Sequence, residues 1–282
     1  MTWVFVCASV SILLSRGHSL TCLSPARQND AALLALDPNK DKADAIVSEW
    51  MGYCLLYECM LETVLVAREK WLKPTAVASP AAGVLLPNRS TLVLAGVCDP
   101  KLWASRVDFW DDVYGFNMSC FRDAPFVEPM LDHFHDATLC TETLPWHVLD
   151  HETMAVADLD FRRPFKLSVK AASEEGEGKG EGETEKEKET ERLLHAMMVS
   201  FDCKFEQEDG GEEVWLRTGC ADTPTHWKQT LLMIKEPVPL PAAGGCIEGF
   251  LTIERNAVNP RELDIVLEIT APVKRTQRFH MS

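Results

Sequence analysis

In the second half of the chain, short runs alternate apolar and polar side chains, and this constrains the fold more than any other feature. Phe165-Lys166-Leu167-Ser168-Val169 is the clearest, and residues 197–205, 230–234, 247–253 and 263–269 form similar short runs between turn residues. A period of two puts alternate side chains on opposite faces of a sheet, so each run has one face to bury. Several such strands at this spacing predict a sandwich or barrel. Upstream the pattern differs. Residues 45–47 are a short apolar run of the buried-strand type, while Leu55, Leu56, Met60, Val64, Leu65 and Leu72 recur at helical spacing until Pro74 ends the helix. Lys101 to Tyr114 reads as a second helix, with Leu102, Trp103, Val107, Trp110 and Val113 on one face. The fold class is therefore α/β followed by β.

A hydrophobic fraction of 46% over 282 residues supports a real core, in one large domain or two. The formal charge of -15 argues against nucleic acid as the main partner and for basic partners such as Arg-rich tails. Six of those charges are local, because residues 173–191 hold nine Glu against three Lys and no apolar side chain. Such a run cannot bury enough surface to order itself, so residues 172–192 are expected to be a disordered acidic insertion at a hairpin tip. An acidic lure for basic tails is the rival reading.

The chemistry concentrates in residues 44–68. The strand ends at Ser48-Glu49, Gly52 permits a sharp turn, and the helix start that follows brings Glu58 back toward Glu49. Open α/β sheets bind ligands beyond the carboxyl ends of their strands. Set among Trp50, Met51, Tyr53, Leu55, Leu56 and Tyr57, the two acids are expected to be partly desolvated and to repel each other unless a cation lies between them. A guanidinium satisfies both, because its five N–H donors form a planar fork that two carboxylates can clasp. Taken alone, the stretch also reads as a plain strand-turn-helix with solvated acids. His226 beside Trp227, taken alone, reads as a hydrogen-bonded core histidine.

Three motifs in order resemble the protein arginine methyltransferases. Ser48-Glu49-Trp50-Met51-Gly52-Tyr53 followed by Glu58 resembles the family's double-Glu loop. Phe109-Trp110-Asp111-Asp112-Val113-Tyr114-Gly115-Phe116 resembles its dimerisation arm, and Thr225-His226-Trp227-Lys228-Gln229-Thr230 its second signature. The resemblance covers residues 41–269 and is most like the type I enzymes, which make asymmetric dimethylarginine. It leans toward the member that carries an N-terminal zinc finger, a finger this sequence lacks.

The resemblance implies a remnant of a Rossmann-like methyltransferase sheet over residues 41–87. A C-terminal β-barrel over residues 88–282 would follow, with a helical dimerisation arm at 99–127. The implied activity is methyl transfer from S-adenosylmethionine to arginine guanidino nitrogens of proteins such as histones or Arg-Gly-rich proteins, by a homodimer. Glu49 and Glu58 would clamp the guanidinium and His226 would take the released proton. Trp50, Tyr53 and Trp227 would contact the substrate, and Met51 would line both the substrate and the cofactor side of the methyl-transfer pocket.

The family holds S-adenosylmethionine with a Gly-rich turn after the first strand, an acidic ribose-binding residue and an upstream helix carrying aromatic residues. None can be placed here, since only Gly17 precedes Asp44. Gly176, Gly178, Gly180 and Gly182 are no substitute, because the Glu residues between them would repel an anionic group. The expectation is a family member without its cofactor half and without parallel strands beside residues 45–47. A catalytically inactive fragment acting as a binding or decoy subunit is the alternative to an enzyme.

Residues 1–40 form an atypical N-terminus. Their apolar run from Trp3 to Leu14 resembles a signal peptide but lacks a positive n-region, and a chance N-terminal sequence is the other reading. The ten cysteines show no C-x-x-C pair and no grouping with His that would ligate a metal, so they read as reduced intracellular residues. The cytoplasm or nucleus is the expected location, or the cell exterior if residues 1–19 are a signal. No membrane partner is expected.

Overall fold

A computed structural model describes residues 42–74, 83–171, 192–206 and 213–282, with the backbone of three upstream strands, Trp3–Cys7 (β1), Ile12–Arg16 (β2) and Ser19–Leu23 (β3). The acidic run at 172–191 lies outside the described residues, as do residues 24–41.

Ala45–Glu49 (β4) is the middle strand of a parallel sheet. On one side β1 pairs with it from Trp3 opposite Ala45 to Cys7 opposite Glu49, and on the other Val84–Leu86 (β5) pairs with Ala45 to Val47. The expectation that this strand lacks parallel neighbours is therefore wrong. The run from Trp3 to Leu14 reads as one apolar block, whereas its first part is a strand that pairs backbone groups β4 would otherwise bury unpaired. Leu61–Trp71 (α1) follows β4 and buries Leu61, Val64, Leu65, Ala67 and Trp71 in the same cluster as Ile46 and Leu85. The helix starts later than Leu55 because the intervening residues form turns, and periodicity alone does not separate a buried turn from a helix.

The remainder is antiparallel. One sheet runs in the order Met130–Asp132 (β7), Gln229–Pro239 (β12), Leu193–Phe205 (β10), Arg89–Val97 (β6) and Leu144–Asp150 (β8), with Val214–Arg217 (β11) added on β10. The second runs Arg275–Met281 (β15), Leu263–Ala271 (β14), Cys246–Arg255 (β13) and Phe161–Ser168 (β9).

Burial along the strands shows what covers each sheet. In β14, Leu263, Ile265, Leu267 and Ile269 are buried in alternation, so the other face meets solvent. In β10 every residue from Leu194 to Phe201 is buried, so both faces are covered. The outer cover comes from Pro100–Arg106 (α2) and the residues after it. Asp99 caps this helix by accepting from the Leu102 N–H at 2.9 Å, and Val107 and Phe126 join Ala95, Ala196, Met198 and Leu231 in a second cluster, with Leu102 and Trp103 against it. The base of the expected arm thus packs on its own sheet. The helix expected to reach Tyr114 stops at Arg106, and Asp108–Asp111 continue as a 3₁₀ turn.

On the inner side one cluster runs from Ile46, Leu65 and Leu85 through Leu92 and Phe201 to Leu251 and Ile265, joining the parallel unit to both antiparallel sheets. Each such side chain contributes roughly 1.5–3 kcal/mol by leaving water, so the parallel unit and the sheets stabilise each other.

Among the described residues the sheets of the expected β-barrel do not close on each other. Among the described residues β8 and β9 share no ladder. The sheets are bridged where Cys140 N–H donates to Gly96 O, Glu142 N–H to Ser168 O and Lys170 N–H to Cys140 O, each at 2.9 Å, and again where Gln277 of β15 donates to Met233 O of β12 at 2.7 Å. Alternation reports that a strand has two faces and is silent about which edges meet, because closure depends on stagger and tilt. Among the described residues no helix is long and apolar enough to cross a membrane.

Candidate active site

At the carboxyl end of β4 the chain turns at once. Gly52 N–H donates to Leu55 O at 2.9 Å and Tyr57 N–H to Tyr53 O at 3.0 Å. A Cβ on Gly52 would lie 1.9 Å from Tyr57 O, so only glycine fits this turn. Cys54, Leu55, Glu58 and Cys59 adopt φ values of 51°, 66°, 70° and 51°. Of the six non-glycine residues with positive φ among those described, these four and Lys228 lie in the two motif loops. Left-handed backbone at such residues costs about 1–3 kcal/mol each and gathers where function fixes geometry. Strain therefore marks both loops without any appeal to likeness.

Hydrogen bonds join the loops, one from Trp227 and one between the side chains of Cys54 and Thr230. Trp227 is buried, and its Nε1–H donates to Met51 O at 2.8 Å while its ring stands edge-on to Phe201 at 5.9 Å. His226 is exposed and lies with its ring 3.9 Å from that of Trp227. Trp50 and Met51 are buried, and half-buried Tyr53 stacks on Tyr57 at 6.4 Å. Trp50 meets His151 edge-on at 5.2 Å. Burial pushes His151 down to about 4, against a smaller upward pull from its hydrogen bond to Pro87 O.

The two acids differ from expectation. Glu49 is exposed, and among the described residues its carboxylate has no hydrogen bond or ion pair. Burial pushes the Cys203 thiol up to about 12, against a smaller downward pull from its hydrogen bond with Ser90, and the charges of Asp202 and Glu49 add to the rise. Glu58 sits in the turn before α1 rather than in a helix, and its Oε1 accepts from Arg261 Nη2 at 2.8 Å. The pair is thus not a desolvated, uncompensated one. Trp50, Leu55 and Leu56 turn into the core and leave Glu49 in solvent, and a cation already meets Glu58.

Sequence reasoning missed Arg261, which lies 203 residues from Glu58 in the turn between β13 and β14. Its only signal was turn chemistry around Asn256, Asn259 and Pro260, and that says a hairpin bends there without saying what its tip touches. On the arm, Phe109 and Phe121 are exposed, and Tyr114 and Phe116 are 94% and 72% exposed.

A nucleoside cofactor is not fitted by these residues. The segment after β1 reads Ala8-Ser9-Val10-Ser11, with no glycine to bring backbone close to a ligand, and the Met51 carbonyl is taken by Trp227. The arrangement offers instead a carboxylate-bearing loop beside a tryptophan wall, which suits a planar cation.

Fold and site together define an α/β unit that presents acids at a parallel strand's end and is walled by an antiparallel β domain. The model of the arginine methyltransferase oligomerization subdomain matches residues 88–272, and the chain belongs to the protein arginine methyltransferase family. It is 35% identical over 226 residues to the probable protein arginine N-methyltransferase 1.2 of Arabidopsis thaliana, covering 80% of this chain and 54% of that one. To protein arginine N-methyltransferase 1 of Chlamydomonas reinhardtii it is 32% identical over 246 residues, covering 86% of this chain and 63% of the other. The Trypanosoma brucei PRMT1 enzyme-prozyme heterotetrameric complex with AdoHcy matches at 32% identity and a TM-score of 0.70, over 86% of this chain and 69% of that one. The chain spans about half the length of the first of these relatives.

Proposed function

We propose that this chain binds arginine side chains of basic proteins and serves protein arginine N-methylation, with S-adenosylmethionine as methyl donor. The observation that carries the reading is the Trp227–Met51 hydrogen bond, which fastens the second signature to the double-Glu loop. In this reading Glu49 and Glu58 hold the guanidinium, whose pKa above about 12 keeps it protonated as it binds. They draw positive charge toward the nitrogens that do not react, and His226 takes the proton released. Trp50, Met51, Tyr53 and Trp227 shape the channel. The residues present do not complete a cofactor site, so the chain's own part is to bind and orient the arginine.

Histone tails and Arg-Gly-rich proteins suit a chain of net charge -15. A homodimer accords with the exposed aromatic tip of the arm and with the match to an oligomerization subdomain. The eight described cysteines are free, which accords with a reducing compartment, and the cytoplasm or nucleus is the proposed location.

A second reading, a non-catalytic binding or decoy subunit, is favoured by the likeness to an enzyme-prozyme complex. Titration calorimetry with S-adenosylmethionine and a labelled-methyl assay separate the two, run on the unmodified chain and on a fusion with a family-type cofactor domain placed before residue 41. Turnover by the fusion alone supports the first reading with the cofactor site supplied elsewhere. Binding of an Arg-Gly-rich peptide without turnover by either protein supports the second.

A further inference from the structure

We infer that Arg261, at the tip of the β13–β14 hairpin, is a positioning residue that sets the Glu58 carboxylate for an incoming guanidinium; this rests on the proposed arginine-binding role. Glu58 cannot hold itself in place. Its φ is 70° and that of Cys59 is 51°, and Met60 at the start of α1 makes no side-chain cap. Two bonds from one residue hold it instead. Glu58 N–H donates to Arg261 O at 2.8 Å, and Arg261 Nη2 donates to Glu58 Oε1 at 2.8 Å.

The hairpin tip that carries Arg261 is itself well tied. Asn256 Oδ1 accepts from Val258 N–H at 2.8 Å and Asn259 N–H at 3.0 Å, and Asn256 Nδ2 donates to Asp264 Oδ2 at 2.9 Å. At its base Arg255 pairs with Asp160 at 2.6 Å and with Glu62 in the first turn of α1 at 2.8 Å. The hairpin thus grips the start of α1 at two points, Glu58 and Glu62.

A carboxylate offers about four lone-pair sites. Arg261 uses one on Oε1, and among the described residues no hydrogen bond reaches Oε2. A second guanidinium can therefore share Glu58 while Arg261 fixes its rotamer. An exposed ion pair of this kind contributes little to global stability, so the effect of Arg261 belongs in the local order of Glu58 and in ligand affinity.

The test uses the full chain, its Arg261→Ala and Arg261→Lys variants and Glu58→Gln, with amide hydrogen exchange at Glu58 and titration of a synthetic Arg-Gly-repeat peptide. Arg261→Ala should speed exchange at Glu58 and weaken the peptide, each by about 10-fold or more. Arg261→Lys, which keeps the charge without the fork, should recover part of both. Adding Arg261→Ala to Glu58→Gln should weaken the peptide no further. Unchanged exchange at Glu58 in Arg261→Ala overturns the inference, as does faster exchange with unaltered peptide affinity. If the unmodified chain does not bind the peptide, the arginine-binding role fails, and Glu58 exchange alone decides whether Arg261 positions the loop.

Discussion

Trp227 Nε1 donates to the carbonyl oxygen of Met51 at 2.8 Å across 176 residues of sequence, and this hydrogen bond ties the two motif loops. Trp227→Phe keeps most of the buried ring and removes the donor, leaving the Met51 carbonyl without that partner. The expected loss of stability is about 1–3 kcal/mol by urea denaturation. Trp227→Ala also opens a cavity beside Phe201 and should lose about 3–5 kcal/mol. An undiminished stability in Trp227→Phe beside a loss in Trp227→Ala would show that packing alone holds the loops.

Gly52 tests the turn. A Cβ there would meet Tyr57 O at 1.9 Å, and the neighbour is backbone that cannot step aside. Gly52→Ala should destabilise the chain by roughly 2 kcal/mol or more, as overpacking does. An unchanged melting temperature would mean that the loop rearranges freely, and the site would then lack the rigidity argued for it.

Much of the fold was legible and the site less so. Alternation located the strands of the second sheet because those strands keep one wet face, as in β14. It said less about β10, whose outer face is covered by α2 and the residues after it, so that its burial is continuous. Trp3–Cys7 was hidden inside an apolar block, since a short continuous apolar run shows no period that marks it as a strand. Glu49 and Glu58 stood out in the sequence because carboxylates beside aromatics are conspicuous. Their different surroundings depend on Arg261 and on the direction each side chain takes from a left-handed turn, and neither is a local property.

His151 gives the chain a pH dependence. Burial holds its pKa at about 4 in the folded protein, below the ordinary 6.5. A folded pKa below the unfolded one means that the unfolded chain takes up the proton first as pH falls. The stability due to neutral His151 is therefore complete above about pH 6.5 and is lost as pH falls from there toward 4, by roughly 3 kcal/mol over the interval. Titration followed by NMR should give a midpoint near 4, and a midpoint at or above 6.5 would contradict a buried neutral ring.

Arg255 ties α1 to the second sheet through Glu62 at 2.8 Å and Asp160 at 2.6 Å, with its side chain 20% exposed. Arg255→Ala leaves two carboxylates near each other without their cation and should destabilise by about 2 kcal/mol. A double-mutant cycle with Glu62→Gln should show coupling. Strict additivity would mean that the hairpin and helix are independent.

The central claim is that the double-Glu loop recognises a guanidinium rather than any positive charge. Its direct measure is titration calorimetry of the full chain with an Arg-Gly-repeat peptide and with the same peptide carrying Lys for Arg, repeated on Glu49→Gln and Glu58→Gln. A fork matched to two carboxylates predicts that the Arg peptide binds about 10-fold or more tightly than the Lys peptide, and that each Gln variant erases most of that preference. Equal affinity for the two peptides, or a preference that survives in both variants, would contradict it.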